Sequence, residues 1–465
     1  MPATMESETL STGNRQIDEI LRGGFPKNSI NIIMGQPGTG KTIFAEQMVF
    51  YNARPGERPI LYLTTLSEPM SKVLTYLQRF SFYDENKIGT EIHYRDIGWD
   101  LITNGLEGFV HKIEEMILEL SPKMIVIDSF RGLKELSKSQ GEYRRLLFDL
   151  AGTLSAFDTT AFLVGEYTEE DYRELPEFAI ADGIIQFSRN SETSKDERFV
   201  RVLKLRGSSY AEGLHGCSIS SDGLCVYPRL VSPKHAESYS WNKERISSGV
   251  KDMDTLLGGG IWKGASTLIA GPTGSGKTTF ALMFALEAIR CKEKSLYVNF
   301  QENPTQLLRT IDSLGFSAQE LRAAGLEFVY ASPVELQIDS IIVTILKKLD
   351  DKKLSRIVID AIGDLSMAAN NGVRLHDYLY ALCQSLAVQD VSAMLVYETA
   401  SSNIESLAVE GNARYSNMAD NIIILSSGKH PEYQRELRCV KARGCNHDLR
   451  AHDFDITDKG IKIRG

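Results

Sequence analysis

The sequence predicts an α/β protein of two tandem P-loop domains, each a mostly parallel sheet flanked by helices. Three observations carry that expectation. A glycine-rich loop occurs twice, other segments repeat in the same order, and each copy alternates strand and helix patterns. The loops are GQPGTGKT at residues 35–42 and GPTGSGKT at residues 271–278. Both fit G-x-x-x-x-G-K-[ST] after an apolar β-branched run and before a helical pattern, the context in which this motif grips phosphate.

The duplication reaches well beyond the loops. STGNRQIDEILRGGFPKNS (11–29) matches SSGVKDMDTLLGGGIWKGA (247–265), setting Ser11 against Ser247, Asp18 against Asp254 and Gly24 against Gly260. LYLTTLSEP (61–69) matches LYVNFQENP (296–304), and KMIVIDSF (123–130) matches RIVIDAIG (356–363). LKLRG (203–207) matches VKARG (440–444), and ISSDG (219–223) matches ITDKG (456–460). Ordered matches at nearly constant spacing imply a duplicated globular unit rather than a solenoid. At 465 residues the chain is also too long for one ordinary core. The first domain is assigned to 1–230 and the second to 247–465, joined by a linker at 231–246 in a polar stretch without apolar periodicity.

Within the first copy, SINIIMG (29–35) reads as a buried strand ending in the loop, and TIFAEQMVFYNA (42–53) has helical spacing. ILYLTT (60–65), MIVIDS (124–129) and TAFLVGEY (160–167) are further buried strands, with helical patterns such as LEGFVHKIEEMILEL (106–120) between them. Such alternation implies a parallel sheet covered on both faces.

Composition narrows the function. A net charge of −9 argues against a dedicated nucleic-acid binder, which needs surplus Lys and Arg. The six cysteines form no CxxC pair, which fits reduced thiols, and Cys439, Cys445 and His447 lack the tight pairing of zinc ligands. MPATMESETLSTG has no signal-type apolar core, and no run is long enough for a membrane helix. A cytoplasmic chain without membrane partners is expected.

The chemistry centres on the loops. Gly35, Gln36, Pro37, Gly38, Thr39, Gly40, Lys41 and Thr42 form one cradle; Gly271, Pro272, Thr273, Gly274, Ser275, Gly276, Lys277 and Thr278 form the other. Backbone N–H groups curl around phosphate oxygens there, aided by the positive helix N-terminus. Lys41 and Lys277 are expected to reach the β- and γ-phosphates, and Thr42 and Thr278 to ligate Mg²⁺. Asp128 and Asp360 each end an apolar strand, where an acid holds the same ion through water. ATP and Mg²⁺ are the expected cofactors of both sites.

The IDEILRGG and MDTLLGGG openings, both P-loops, both ID strands and both K-x-R-G elements together resemble the KaiC-like branch of RecA-fold ATPases, over nearly the whole chain. The resemblance implies two adjacent acids after the second strand of each copy. The second copy has Gln301-Glu302; the first has Leu66-Ser67, with Glu68 one position later. The second domain is therefore expected to hydrolyse ATP through Glu302. The first is expected either to use Glu68 imperfectly or to hold nucleotide as structural glue.

Lys204 and Arg206, like Lys441 and Arg443, fall at i and i+2, on one face of a strand. The resemblance implies an arginine-finger-like role for them, in trans, within a homo-oligomeric, hexameric ring. Solvated charge on an edge strand is the plainer reading. Clock-type members of the family phosphorylate themselves on an adjacent Ser-Thr pair. Aligning on SNMADNIIIL (416–425) puts Ser416 at the serine and Asn417 at the threonine, so Ser416 is either a phosphosite or an ordinary loop hydroxyl. Two other functions remain open. One is a RecA-type nucleic-acid motor using the basic segment SFRGLKELSKSQGEYRR (129–145); the other is a nucleotide-gated signalling hub with little turnover.

Overall fold

Apolar runs that end in glycine or aspartate become the middle strands of two sheets. The computed structural model describes residues 9–65, 70–191, 196–233, 239, 243–369, 372–399, 413–427 and 435–464. The chain divides into two units, Met1–Arg229 and Leu230–Gly465. In the first, the strand order across the sheet is Ile92–Asp96, Ile60–Thr64, Met124–Asp128, Thr160–Glu166, Ile30–Gly35, Gly183–Asn190, Glu197–Leu205, His215–Ser220 and Gly223–Tyr227. Neighbours are parallel as far as Gly183–Asn190 and antiparallel beyond it. The second unit repeats order and direction: Leu326–Tyr330, Ser295–Asn299, Arg356–Asp360, Ser392–Glu398, Ser266–Gly271, Asn421–Ser427, Arg435–Ala442, Ala451–Thr457 and Gly460–Ile463. Two mostly parallel sheets flanked by helices are thus present, as the alternation of patterns predicted.

Alternation along each strand divides the core. Ile30, Ile32 and Met34 pack on one face with Phe109, Ile113, Leu146 and Leu150 of the helices Gly98–Leu120 and Gln140–Ala156. Ile33 faces the other way, toward Phe44 and Met48 of the helix Lys41–Asn52. A strand buried on both sides has to be apolar throughout, which is why these runs lack polar alternation. The N-terminal segments repeat too. Ser11 Oγ and the Thr12 N–H donate to Asp18 at 2.5 and 2.8 Å, and Ser247 Oγ and the Ser248 N–H donate to Asp254 at 2.6 and 2.7 Å.

The helix expected at 106–120 is present, and a further helical stretch from Gly98 joins it across a kink at Gly105, where φ is 66°, a value glycine tolerates. Two expectations need correcting. The strands bearing Lys204 and Lys441 are interior rather than edge strands, because two further antiparallel strands lie outside each. Arg206 and Arg443 follow the last strand residue, so neither shares a strand face with its lysine.

One carboxyl interrupts the apolar interior of the first unit. Glu46, fully buried beneath the loop, accepts a hydrogen bond from Tyr94 Oη at 2.7 Å. Burial pushes its pKa from 4.5 up to about 8, against the pull of that hydrogen bond. The repeat places Leu282 and Phe328 at these two positions. The folded unit therefore keeps a proton that the unfolded chain releases near 4.5, so stability falls as pH rises from there through about 8. Calorimetric melting of the first unit is expected to weaken across that window, by a few kcal/mol at most. Glu46→Gln is expected to flatten the slope; an unchanged slope would place the proton elsewhere.

Candidate functional site

The loop, a lysine and a strand-final acid meet at the carboxyl end of the parallel strands in each unit. Gly35 approaches the neighbouring strand so closely that a Cβ would lie 2.2 Å from the Phe187 carbonyl oxygen; at Gly271 the Leu425 oxygen is 2.3 Å away. Gly40 and Gly276, with φ of 104° and 102°, then turn the chain into the helices Lys41–Asn52 and Lys277–Arg290. The first N–H groups of a helix lack intrahelical partners, so they remain available to an anion. Thr39 Oγ1 tightens the first loop by donating to the Gln36 carbonyl at 2.8 Å, and Thr273 Oγ1 donates to Glu398 Oε1 at 2.5 Å.

Lys41 Nζ donates to the Gln36 carbonyl at 2.9 Å and Lys277 Nζ to the Pro272 carbonyl at 2.8 Å. Burial lowers both lysine pKa values. Glu166 and Asp128 oppose it in the first unit, and Glu398 and Asp360 in the second. Asp128 Oδ2 accepts from Thr42 Oγ1 at 3.0 Å and from Tyr62 Oη at 3.1 Å. Asp360 Oδ2 accepts from Tyr297 Oη at 2.7 Å, and Thr278 also bonds Asp360. Burial pushes both carboxyls up in pKa, and the hydroxyl bonds pull them back. In the first unit Lys41, Thr42, Tyr62, Asp128 and Glu166 line a cavity of about 410 Å³. Hydroxyl and carboxylate oxygens beside a buried ammonium suit a hard divalent cation carrying phosphate. The donor set therefore fits Mg·ATP.

The second strand ends differently from a solvated tip. The Glu302 N–H donates to Asn299 Oδ1 at 2.9 Å, which turns the chain before the acid. Glu302 Oε2 is buried and has no hydrogen-bond partner among the described residues. Burial raises the pKa of this carboxyl, and nearby Asp360 raises it further. Glu68 lies outside the described residues.

The K-x-R cations are not at their own unit's loop. Arg198 Nε reaches the Gly38 carbonyl at 3.3 Å, and Lys204 lies roughly 20 Å further along the same strand. Arg435 Nε likewise reaches the Gly274 carbonyl at 3.4 Å, with Lys441 as far again along its strand. Lys204 Nζ donates to the Phe178 carbonyl, and Arg206 to Asp182 and the Ala179 carbonyl. Lys441 Nζ donates to the carbonyls of Ser416 and Ala419, both at 2.7 Å, and Arg443 to Asp420 and the Asn417 carbonyl. Ser416, half-buried in the helix Ala413–Met418, therefore sits with the cations and away from its own loop. No group of three metal-ligating side chains occurs among the described residues, Cys439, Cys445 and His447 included.

Sequence reasoning missed Tyr62 and Tyr297, Glu166 and Glu398, and Arg198 and Arg435. The tyrosines lie in the matched LYL and LYV segments, where nothing in the sequence marks them as donors to a strand-final acid. The arginines precede the matched LKLRG and VKARG segments, and only the sheet register shows that they reach the loops.

Comparison with known proteins adds a family. A profile described as "ATPase: KaiC" matches residues 10–231 and again 246–465. The circadian clock oscillator protein KaiC of Prochlorococcus marinus is 27% identical over 475 residues, covering 99% of this chain and 93% of that protein. KaiC 1 of Synechocystis and KaiC of Synechococcus elongatus are each 25% identical, covering 96% of this chain and 87% of theirs. No described helix is long and apolar enough to cross a membrane.

Desolvation of these two ammonium groups outweighs the pull of the nearby carboxylates, Glu398 at 3.9 Å from Lys277 included. Lys41→Met and Lys277→Met are therefore expected to raise the melting temperature of the nucleotide-free protein, by about 2–4 °C for each kcal/mol recovered. Scanning calorimetry checks this, and a lowered melting temperature would mean that the lysines serve the fold.

Proposed function

From the premise that this chain belongs to the KaiC family of ATPases, we propose that it binds Mg·ATP in both units and hydrolyses it in the second. The observation that carries the reading is Glu302 Oε2, a buried acceptor lacking a partner among the described residues and close to Asp360. A carboxyl with its pKa raised by burial is suited to take a proton from an attacking water. Lys277 holds the phosphate tail, Thr278 and Asp360 hold the metal, and the Gly271–Thr278 backbone excludes bulk water from the tail. When bound, Mg²⁺ and ATP supply the transferable phosphoryl group with its charge neutralised. Lys41, Thr42 and Asp128 hold the equivalent ligand in the first unit. Leu66 occupies the position of Gln301 there, and the first unit acts mainly as a clamp.

The reading extends to a homo-oligomeric ring. Lys204, Arg206, Lys441 and Arg443 lie at the far end of the sheet from their own loops, and a neighbouring copy's pocket is where such cations do chemical work. In a hexamer each pocket would be completed by the next subunit. Ser416 travels with Lys441 toward that same pocket, which makes its hydroxyl the phosphoryl acceptor of an autokinase side reaction. The net charge of −9 weighs against the nucleic-acid motor.

Glu302→Gln is expected to lower steady-state phosphate release by about 10²–10³-fold, with nucleotide binding and native mass retained. Wild-type turnover in that variant would remove the catalytic assignment. Phosphopeptide mass spectrometry after incubation with Mg·ATP is expected to find Ser416 modified, and a Ser416→Ala protein unmodified at that helix.

A further inference from the structure

Beside Glu302 stands a pair of side chains with no role so far. Gln301 donates its amide Nε2 to both carboxylate oxygens of Asp364, at 3.0 and 3.1 Å. Asp364 begins the helix Asp364–Ala369, just beyond the strand-final Asp360, and its Oδ2 also lies 3.4 Å from the Ala361 N–H. An ionised carboxylate only accepts hydrogen bonds. The NH₂ end of Gln301 must therefore face Asp364, which directs Oε1 away from it and settles an amide orientation that would otherwise be ambiguous. In the first unit the repeat puts Leu66 and Gly132 at these positions. The pair belongs to the second unit alone.

We propose that Gln301, oriented by Asp364, is a second water-positioning group of the second unit, acting with Glu302. The proposal rests on the ATPase reading given above. In-line attack needs a water held with its lone pair toward phosphorus and both of its protons on acceptors. Glu302 Oε2 accepts one of these protons and Gln301 Oε1 the other, the use that glutamine has in other P-loop enzymes. As the new O–P bond forms, the bond to the bridging oxygen of ADP breaks. The water proton passes to Glu302, and the products are ADP and inorganic phosphate. Gln301 accepts a hydrogen bond and transfers no proton. Asp364 acts through Gln301 and is a positioning residue. An amide free to rotate would present NH₂ to the water as often as oxygen, so losing Asp364 degrades geometry rather than affinity.

The test measures, on the full chain, the part of ATP turnover that Glu302→Gln abolishes. Asp364→Ala is expected to lower its kcat about tenfold or more, with KM unchanged within about twofold. Asp364→Asn keeps one acceptor oxygen but adds a donor that can pair with Gln301 Oε1, so it is expected to recover only part of the kcat lost in Asp364→Ala. Gln301→Leu, which copies the first unit, is expected to lose as much as Asp364→Ala, and the double variant no more than either alone. Full kcat in Asp364→Ala, alongside a dead Glu302→Gln, would overturn this inference and leave the ATPase reading intact. Additive losses in the double variant would overturn it as well. Wild-type turnover in Glu302→Gln would remove the assignment of hydrolysis to Glu302 and this proposal together.

Discussion

A carboxylate buried at the end of a β-strand is the constraint on which both units turn. Burial pushes Asp128 and Asp360 toward the neutral form, and the threonine and tyrosine hydroxyls draw them back toward the charged one. That balance requires the strand to stop at the aspartate, the tyrosine to stand on the adjacent strand, and the loop strand to lie two strands away on the opposite side. The sheet order meets all three conditions twice. Gly35 and Gly271, the first glycine of each loop, answer to the same geometry, since the chain there presses against a neighbouring carbonyl and leaves no volume for a side chain.

On this common frame the units have diverged in opposite directions. The first keeps a buried Glu46–Tyr94 pair beneath its loop helix, where the second has Leu282 and Phe328. The second carries Gln301, Glu302 and Asp364 beyond the ends of its strands Ser295–Asn299 and Arg356–Asp360, where the repeat aligns Leu66 and Gly132 of the first with Gln301 and Asp364. The first unit thus keeps its extra polar pair beneath the loop helix, and the second keeps its own beyond two strand ends. On the proposed reading, that distribution suits holding in the first unit and turnover in the second.

Much of this was legible in the sequence because it depends on local chemistry. The doubled G-x-x-x-x-G-K-T loops, the apolar strands ending in aspartate and the fold class all follow from residues close together in the chain. What the sequence hid depends on register. That Arg198 and Arg435 reach the loops, while Lys204 and Lys441 on the same strands do not, follows from where an antiparallel strand begins. That Gln301 meets Asp364 follows from the turn after Asn299 and from the neighbouring strand's end. The strand Ile92–Asp96 was not anticipated either, since its sequence IHYRD is too polar to read as a buried strand.

The proposed catalysis depends on whether one subunit completes another's pocket. The direct measurement mixes two inactive proteins, Glu302→Gln and the double variant Lys441→Ala/Arg443→Ala, under conditions that let subunits exchange. One retains the cations and the other retains the acid. Random assembly restores both at about a quarter of the interfaces, so phosphate release is expected to recover to about that share of wild type. A mixture as inactive as its components would contradict the account.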